Sequence, residues 1–343
     1  MGKLKVAVIG CGSIAKHRHL IEYKANPEVV ITAVCDIVRV RADEMAERYH
    51  AKAYTDYEEL LQNEDVDAVS ICLPNYLHAP VSIAALNAKK HVLCEKPMAT
   101  SCEEAENMIK AAKEHNRKLM IAHNQRFVPS HQKAKELIAS GEIGKVYSFR
   151  TTFGHGGPER WSADGRESWF FEKDKAFIGA MGDLGVHKAD LIRYLLGEEI
   201  TNVAAFVETS AKGDTDVDDN AVCILKSESG VIGTLVASWA YNAREDNSTI
   251  IYGEDAILRL EDDPTYSLVM QYKNGDAVNY KLGEIQTNES GGQTTTHVID
   301  HFVQSILEDK EPLVTGEEGK KSLEIILSAI ESSELNKISN VRG

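Results

Sequence analysis

An apolar run that breaks into closely spaced glycines near the start of the chain limits the possible folds more than any other feature. Val6-Ala7-Val8-Ile9 leads into Gly10-Cys11-Gly12-Ser13-Ile14-Ala15, and a helix-compatible segment follows. Strand, Gly-x-Gly-x-x-Ala turn and helix is the order of a dinucleotide fingerprint. Gly10 would permit the tight turn, Gly12 the close approach of backbone to a pyrophosphate, and Ala15 the packing of helix on sheet. The pyrophosphate would rest on free N–H groups at the helix N-terminus, with Ser13 and Ile14 among its contacts. A second apolar run, Val29 to Cys35, ends in Asp36, about twenty residues on, where a ribose-binding acid belongs. The bland alternative is a strand–turn–helix with an incidental loop acid. Asp36 would repel a 2′-phosphate, so NAD is the expected cofactor. Arg39 and Arg41 keep NADP as the less favoured alternative, although Arg41 would equally stack on adenine or sit exposed on a helix.

A length of 343 residues makes two domains the default. The net charge of −15 argues against a nucleic-acid or anionic-membrane surface, and no apolar run approaches the roughly 20 residues of a membrane span. Met1-Gly2-Lys3-Leu4-Lys5 leads straight into the first strand and leaves no room for a signal peptide. The six cysteines form no Cys-x-x-Cys pair, which implies a reducing cytoplasm without disulfides or structural zinc. His17 and His19 have no carboxylate or cysteine at metal-ligand spacing, so no metal is expected.

Strand-like runs at 4–10, 29–35, 66–73, 91–94 and 118–122 alternate with helix-like segments that include 39–50, 57–63, 79–89 and 101–115. Such alternation predicts a parallel sheet covered on both faces. Leu73-Pro74-Asn75 and Glu95-Lys96-Pro97 then fall at carboxyl ends of strands, the edge where open parallel sheets bind ligands. Ser101 and Glu104 have the spacing of a helix-capping pair. Beyond about residue 125 the pattern changes: a helix over 130–140, an extended run over 145–153, a Gly-rich loop around Gly154–Pro158, and a helix over 184–196 stopped by Gly197. Successive strands from 201 to 282 and helices over 294–309 and 317–334 follow. The expected fold class is α/β: a doubly wound parallel Rossmann domain over 1–123 and an α+β domain with a large, open, mostly antiparallel sheet over 124–343.

Three further segments, Cys94-Glu95-Lys96-Pro97, His123-Asn124-Gln125-Arg126-Phe127 and Gly182-Asp183-Leu184-Gly185-Val186-His187-Lys188-Ala189-Asp190, join the fingerprint in resembling one family. It is the glucose-fructose oxidoreductase / inositol dehydrogenase / rhizopine catabolism (Gfo/Idh/MocA) family. Val217-Asp218-Asp219-Asn220-Ala221 extends the resemblance into the second domain. It implies NAD(P)-dependent redox chemistry on a sugar or cyclic polyol. The chain departs from the family at Phe177-Ile178-Gly179-Ala180-Met181-Gly182, where members often carry consecutive glycines. The bulkier residues are expected to reshape the floor of the substrate site.

Lys96 would reach the nicotinamide edge and stabilise charge on a reacting hydroxyl; its bland alternative is a solvated surface charge. Asp183 and His187, four residues apart, share a face if helical. The imidazole suits proton transfer near neutral pH, and the carboxylate would orient it or bind a substrate hydroxyl. The alternative is a helix cap beside a satisfied interior histidine. Asp190, on the same face, is read as a structural partner of His187. The resemblance places Leu73, Pro74, Asn75, His78 and Glu95 along the cofactor, with a surface helix start as the alternative for His78. Asn124, Arg126, His155 and Trp169 are substrate-site candidates, as polar groups and an aromatic wall for a sugar.

The leading function is therefore oxidation of a secondary alcohol on a sugar, sugar derivative or inositol, with hydride going to nicotinamide C4. NAD-assisted glycoside hydrolysis and a non-catalytic dinucleotide-binding regulator remain alternatives within the family. Apolar strands such as Val231–Ala237 and Ala256–Leu260 imply a second exposed sheet face and a homodimer or homotetramer built through it.

Overall fold

In the computed structural model, which describes residues 2–283, 285–287 and 293–341, the first third of the chain supplies six parallel strands. They are β1 (Leu4–Ile9), β2 (Val29–Cys35), β3 (Lys52–Tyr54), β4 (Ala68–Ile71), β5 (His91–Cys94) and β6 (Leu119–Ile121), in the order β3-β2-β1-β4-β5-β6. Every residue of β4 and β6 is buried, as helices covering both faces require, and the one polar side chain among them, Ser70, is hydrogen-bonded to Tyr23 at 2.8 Å. The order reverses between β1 and β4, which opens a crevice at the carboxyl ends of the strands.

Local departures from the expected elements have local causes. The helix expected over 79–89 begins at Asn75 and carries Pro80 inside it, at the cost of one backbone N–H donor. Ser101 accepts from the Glu104 N–H at 3.2 Å, but the Glu104 carboxylate returns to the N–H and hydroxyl of Thr100 rather than to Ser101. The three-residue β3 is too short to leave a periodic signal.

The second sheet has nine strands: β7 (Val146–Gly154), β8 (Ile200–Glu208), β9 (Asn220–Ser227), β10 (Ile232–Ser238), β11 (Thr249–Gly253), β12 (Ala256–Leu260), β13 (Leu268–Tyr272), β14 (Ala277–Tyr280) and β15 (Ser339–Asn340). Their order is β14-β13-β12-β11-β7-β10-β9-β8-β15, and among the described residues of this sheet only β7 and β10 pair in parallel. In β9, Ala221, Cys223 and Leu225 point inward while Val222, Ile224 and Lys226 point out. Helices Pro129–Ala139, Val186–Leu196 and Gly316–Leu335 cover the inner face. On the outer face Phe206 pairs across strands with Val222, and both are exposed together with Ile224 and Ile232.

Each sheet has its own core. Val298, Ile299, Phe302 and Val303 of helix Val298–Leu307 return to the first core. Helix Gly316–Leu335 joins the two, with Leu323 in the first core and Ile325, Ile326 and Ala329 in the second. The ends of the two expected domain spans, Met1 and Gly343, lie outside the described residues.

Candidate active site

A cavity of roughly 530 Å³ opens at the carboxyl ends of the parallel strands and is walled by both halves of the chain. Gly10 turns at φ +94°, and a Cβ there would lie 2.1 Å from the Cys72 carbonyl oxygen, so the position admits only glycine. A Cβ at Gly12 would meet nothing within 4 Å, which leaves the room a pyrophosphate needs. Ala15 is buried and opens a wide π turn, Ala15–His19, that continues as helix Leu20–Ala25. Gly10, Gly12, Ser13, Ile14, Asp36, Arg41, Leu73, Pro74, Asn75, His78, Glu95 and Lys96 line the cavity; Ala15 packs beneath the fingerprint instead. The two Asp36 oxygens accept from the backbone N–H groups of Cys11 and Val38, each at 2.8 Å, and so fix the acid against the fingerprint loop. This glycine cradle with a fixed acid fits a dinucleotide. Arg39 is directed away, paired with Asp43 on the helix surface.

The two halves meet chemically at Lys96. Its ammonium donates to the Asp183 carboxylate at 2.9 Å and to the Asp183 carbonyl at 2.8 Å, and the buried indole of Trp239 donates to the other carboxylate oxygen at 3.2 Å. Asp183 lies in a π turn, Met181–Gly185, that runs into helix Val186–Leu196, so Asp183 and His187 both reach the cavity. They are not bonded to each other: the carboxylate is engaged by Lys96 and Trp239, and the imidazole Nδ1 is buried with no partner among the described residues. The expected orientation of His187 by Asp183 is therefore corrected. Burial first, and the nearby Lys96 charge second, hold the His187 pKa well below the usual 6.5, so the imidazole is neutral.

Three further expectations are redirected. Arg126 does not line the cavity. Its guanidinium forks onto both Asp190 oxygens at 2.8 and 2.7 Å and reaches Glu318 at 2.7 Å. Asp190 is thus the partner of Arg126, not of His187, and Ser322 also donates to it at 2.9 Å. Nor do residues 177–182 form the floor of the cavity; Ile178, Ala180 and Met181 pack into the second core. The glycines kept there are steric, since a Cβ on Gly179 would fall 1.9 Å from the Asp218 carbonyl oxygen.

The other candidates are in the wall. Asn124 donates to Gln293 at 3.0 Å, His155 accepts from the Gly157 N–H at 3.0 Å, and Trp169 stacks on Phe170 with centroids 3.9 Å apart. Asn75 donates to the Ala176 carbonyl at 2.8 Å. His78 is buried rather than a surface residue. Its ring nitrogens lie 2.6 and 2.8 Å from the Pro97 and Leu73 carbonyls, between the two strand ends that flank the cavity, and the neutral ring donates its single N–H to one of them. Glu95 accepts from Arg18 and, at 2.8 Å, from His19.

Several positions escaped sequence reading. Arg18 and His19 meet Glu95 only in three dimensions, across more than seventy residues of chain. Gln293 and Asn247 join the wall from segments with no motif. Asp218 takes the Gly179 and Met181 N–H groups at 2.7 Å each and so caps the turn that carries Asp183. Burial raises its pKa to about 6 against those bonds. The acidic pair Asp218-Asp219 within the family-like segment was the available signal.

Comparison with known proteins gives a consistent result. Residues 4–123 match an oxidoreductase family with an NAD-binding Rossmann fold, and residues 131–259 match the GFO/IDH/MocA C-terminal domain. Levoglucosan dehydrogenase of Pseudarthrobacter phenanthrenivorans is 31% identical over 328 residues, covering 86% of this chain and 80% of that protein. Myo-inositol 2-dehydrogenase of Thermotoga maritima is 27% identical and covers 96% of each chain. Among solved structures, levoglucosan dehydrogenase in complex with NADH and levoglucosan superposes with a TM-score of 0.86 at 28% identity over 99% of both chains. An oxidoreductase domain protein from Kribbella flavida gives 0.88 at 25% identity over the full length of both.

Proposed function

The chain belongs to the GFO/IDH/MocA family of oxidoreductases with an NAD-binding Rossmann domain, and from that premise we propose that it oxidises a secondary hydroxyl of a sugar, sugar derivative or inositol with NAD. The observation that carries the proposal is the Lys96–Asp183 bond at 2.9 Å beside a neutral His187, all facing the cavity that the fingerprint borders. Residues 1–123 hold the cofactor in this proposal, and 124–343 hold the substrate.

Gly10, Gly12, Ser13 and Asp36 would hold the dinucleotide, which supplies nicotinamide C4 as hydride acceptor when bound. Lys96 spends two of its three N–H donors on Asp183, which aims the ammonium and leaves one donor for the substrate oxygen. His187, neutral at physiological pH, takes the hydroxyl proton. The Lys96 charge stabilises the oxygen as that proton leaves, in a site where burial strengthens the interaction. Asn124, His155 and Trp169 would contact the sugar.

The relatives supply the substrate class: one acts on levoglucosan and another on myo-inositol by name. The test is a panel of inositols, hexoses, anhydrosugars and glucosides with NAD, read by the absorbance of NADH. Net NADH formation with an unglycosylated polyol supports the dehydrogenase. Release of sugar from glucosides without NADH accumulation would point to hydrolysis instead, and no turnover with tight NADH binding to a regulator.

A homo-oligomer belongs to the same proposal, supported by the outward apolar residues Phe206, Val222, Ile224 and Ile232 on the second sheet. A cytoplasmic location is likewise proposed; none of the six cysteines is in a disulfide, and no helix among the described residues is long and apolar enough to cross a membrane.

A further inference from the structure

The end of the cavity beside Asp36 is closed from the other side of the molecule. Asp36, Ile37, Val38 and Arg41 form one wall there, and Ser162, Ala163 and Asp164 of the second domain form the other. Arg41 donates a charge-assisted hydrogen bond to the Asp164 carboxylate. A second tie lies alongside, where the Ser13 hydroxyl of the fingerprint donates to the Trp161 carbonyl at 2.8 Å. The strap that carries Asp164 is fixed by its own turns. The Ser162 N–H donates to the Pro158 carbonyl at 2.8 Å, the Ser162 hydroxyl to the Gly165 carbonyl at 3.1 Å, and the Glu167 N–H to the Asp164 carbonyl at 3.0 Å. Asp164 is therefore held where Arg41 can reach it.

This pairing changes what Arg41 can do. A guanidinium just beyond the second Rossmann strand, as Arg41 is in the first turn of helix Arg39–Tyr49, is the group that accommodates a 2′-phosphate, because its forked donors match phosphate oxygens. Among the described residues lining this end of the cavity, Arg41 is the one guanidinium, since Arg39 turns outward to Asp43. We propose that Asp164 is a cofactor-specificity residue: by engaging Arg41 across the gap between the domains, it denies NADP the counter-charge its 2′-phosphate requires. Asp36, fixed by the Cys11 and Val38 N–H groups, supplies repulsion from the first domain, and Asp164 removes the compensating attraction from the second. Selectivity for NAD is then built from both halves of the chain. The inference rests on the cavity being the dinucleotide seat proposed above.

The experiment measures dissociation constants of NADH and NADPH by titration calorimetry on the full-length protein, on Asp164→Asn and Arg41→Ala, and on the double variant. NADH binding by the parent protein is read first; its absence overturns the seat and the proposal with it. With the seat intact, Asp164→Asn is expected to shift the NADPH-to-NADH affinity ratio toward NADPH by about tenfold or more, the scale of one freed charge-assisted contact. The double variant is expected to return toward the parent ratio, because the gain is carried by Arg41. The Asp164 and Arg41 side chains are 40% and 31% exposed, so neither substitution opens a buried core. An unmoved ratio in Asp164→Asn, or a gain that persists without Arg41, overturns the proposal.

Discussion

Lowering the pH from 7.5 to 5.5 is expected to destabilise this protein through its buried imidazoles. His123 and His131 are 1% and 0% exposed. Burial, the largest cause for each, brings their pKa values down to about 4 and about 3. The Asp190 charge opposes the shift at His123, and Lys188 reinforces it at His131. In the unfolded chain both titrate near 6.5. The folded pKa is the lower one, so the unfolded state binds more protons. The stability these residues contribute is full above 6.5 and is lost as the pH falls from there toward their folded values. Over the chosen interval each imidazole costs about 1.4 kcal/mol, or about 3 kcal/mol for the pair. Two other groups nearly cancel. Lys188, brought down to about 7 by burial, costs about 1 kcal/mol more, and Asp218, raised to about 6, returns about 1 kcal/mol. His91, brought down to about 4 chiefly by burial, and His19, His78 and His187 shift in the destabilising direction as well. For 343 residues, the roughly 3 kcal/mol of His123 and His131 alone corresponds to a fall in Tm of about 4 °C, which the other imidazoles deepen. Thermal unfolding by circular dichroism at constant ionic strength measures it. His131→Asn keeps a donor for the Gln125 carbonyl, 2.8 Å away in the parent, and is expected to remove about 1.4 kcal/mol of the pH-dependent loss. A Tm that is flat or rises on acidification, or a variant with the parent's full pH slope, would refute the reasoning.

Catalysis, cofactor binding and assembly each give a further expectation. His187→Ala and Lys96→Ala should each lower kcat by about 10²-fold or more, the usual worth of a general acid–base group, while His187→Ala still binds NADH by calorimetry. Because His187 is held well below 6.5, the acid limb of kcat/KM should lie below that value; a limb at 6.5 or above would contradict the burial argument. Gly10→Ala should abolish NADH binding, since its Cβ meets the Cys72 carbonyl at 2.1 Å and the φ of +94° alone costs about 1–2 kcal/mol. Light scattering should give a multiple of the monomer mass for the parent and the monomer mass for Ile224→Asp, whose charge would sit in the middle of the exposed apolar face.

The elements legible in the sequence are those whose signal is local. Val29–Cys35 and His91–Cys94 match the runs read from the sequence residue for residue, because their apolar residues run up to the carboxyl end, where the last three residues of each strand are buried. Gly10 was legible because its requirement is steric and the glycine stands in the motif itself. Contacts that close over long separations left no such mark. The Ser13–Trp161 bond spans 148 residues and the Arg41–Asp164 pair 123, and nothing in either segment names its partner. The departure from consecutive glycines at 177–182 was visible but its consequence was misplaced. Ile178, Ala180 and Met181 face the second core and Phe177 is exposed, and a sequence pattern does not say which side of a turn faces the ligand.

Arg126 shows the same limit from the opposite direction, and explains why a motif of polar residues need not be a binding motif. Its neighbour Asn124 faces the cavity, but the guanidinium turns back and forks onto Asp190, three residues beyond His187 on the same helix. Glu318 and Ser322 of the last long helix complete the cluster from a third direction. Opposite charge holds the Asp190 pKa down despite complete burial and keeps Arg126 protonated, so the pair stays ionised in the interior. Removing one partner of such a pair typically costs about 3–5 kcal/mol by stranding the other charge. What that energy secures is position. The helix with His187 is pinned at Asp190, its leading turn is capped by Asp218, and Asp183 between them is left to meet Lys96. The segments that resemble the family thus mix groups that face the cavity with groups that hold those in place, and only the fold separates the two.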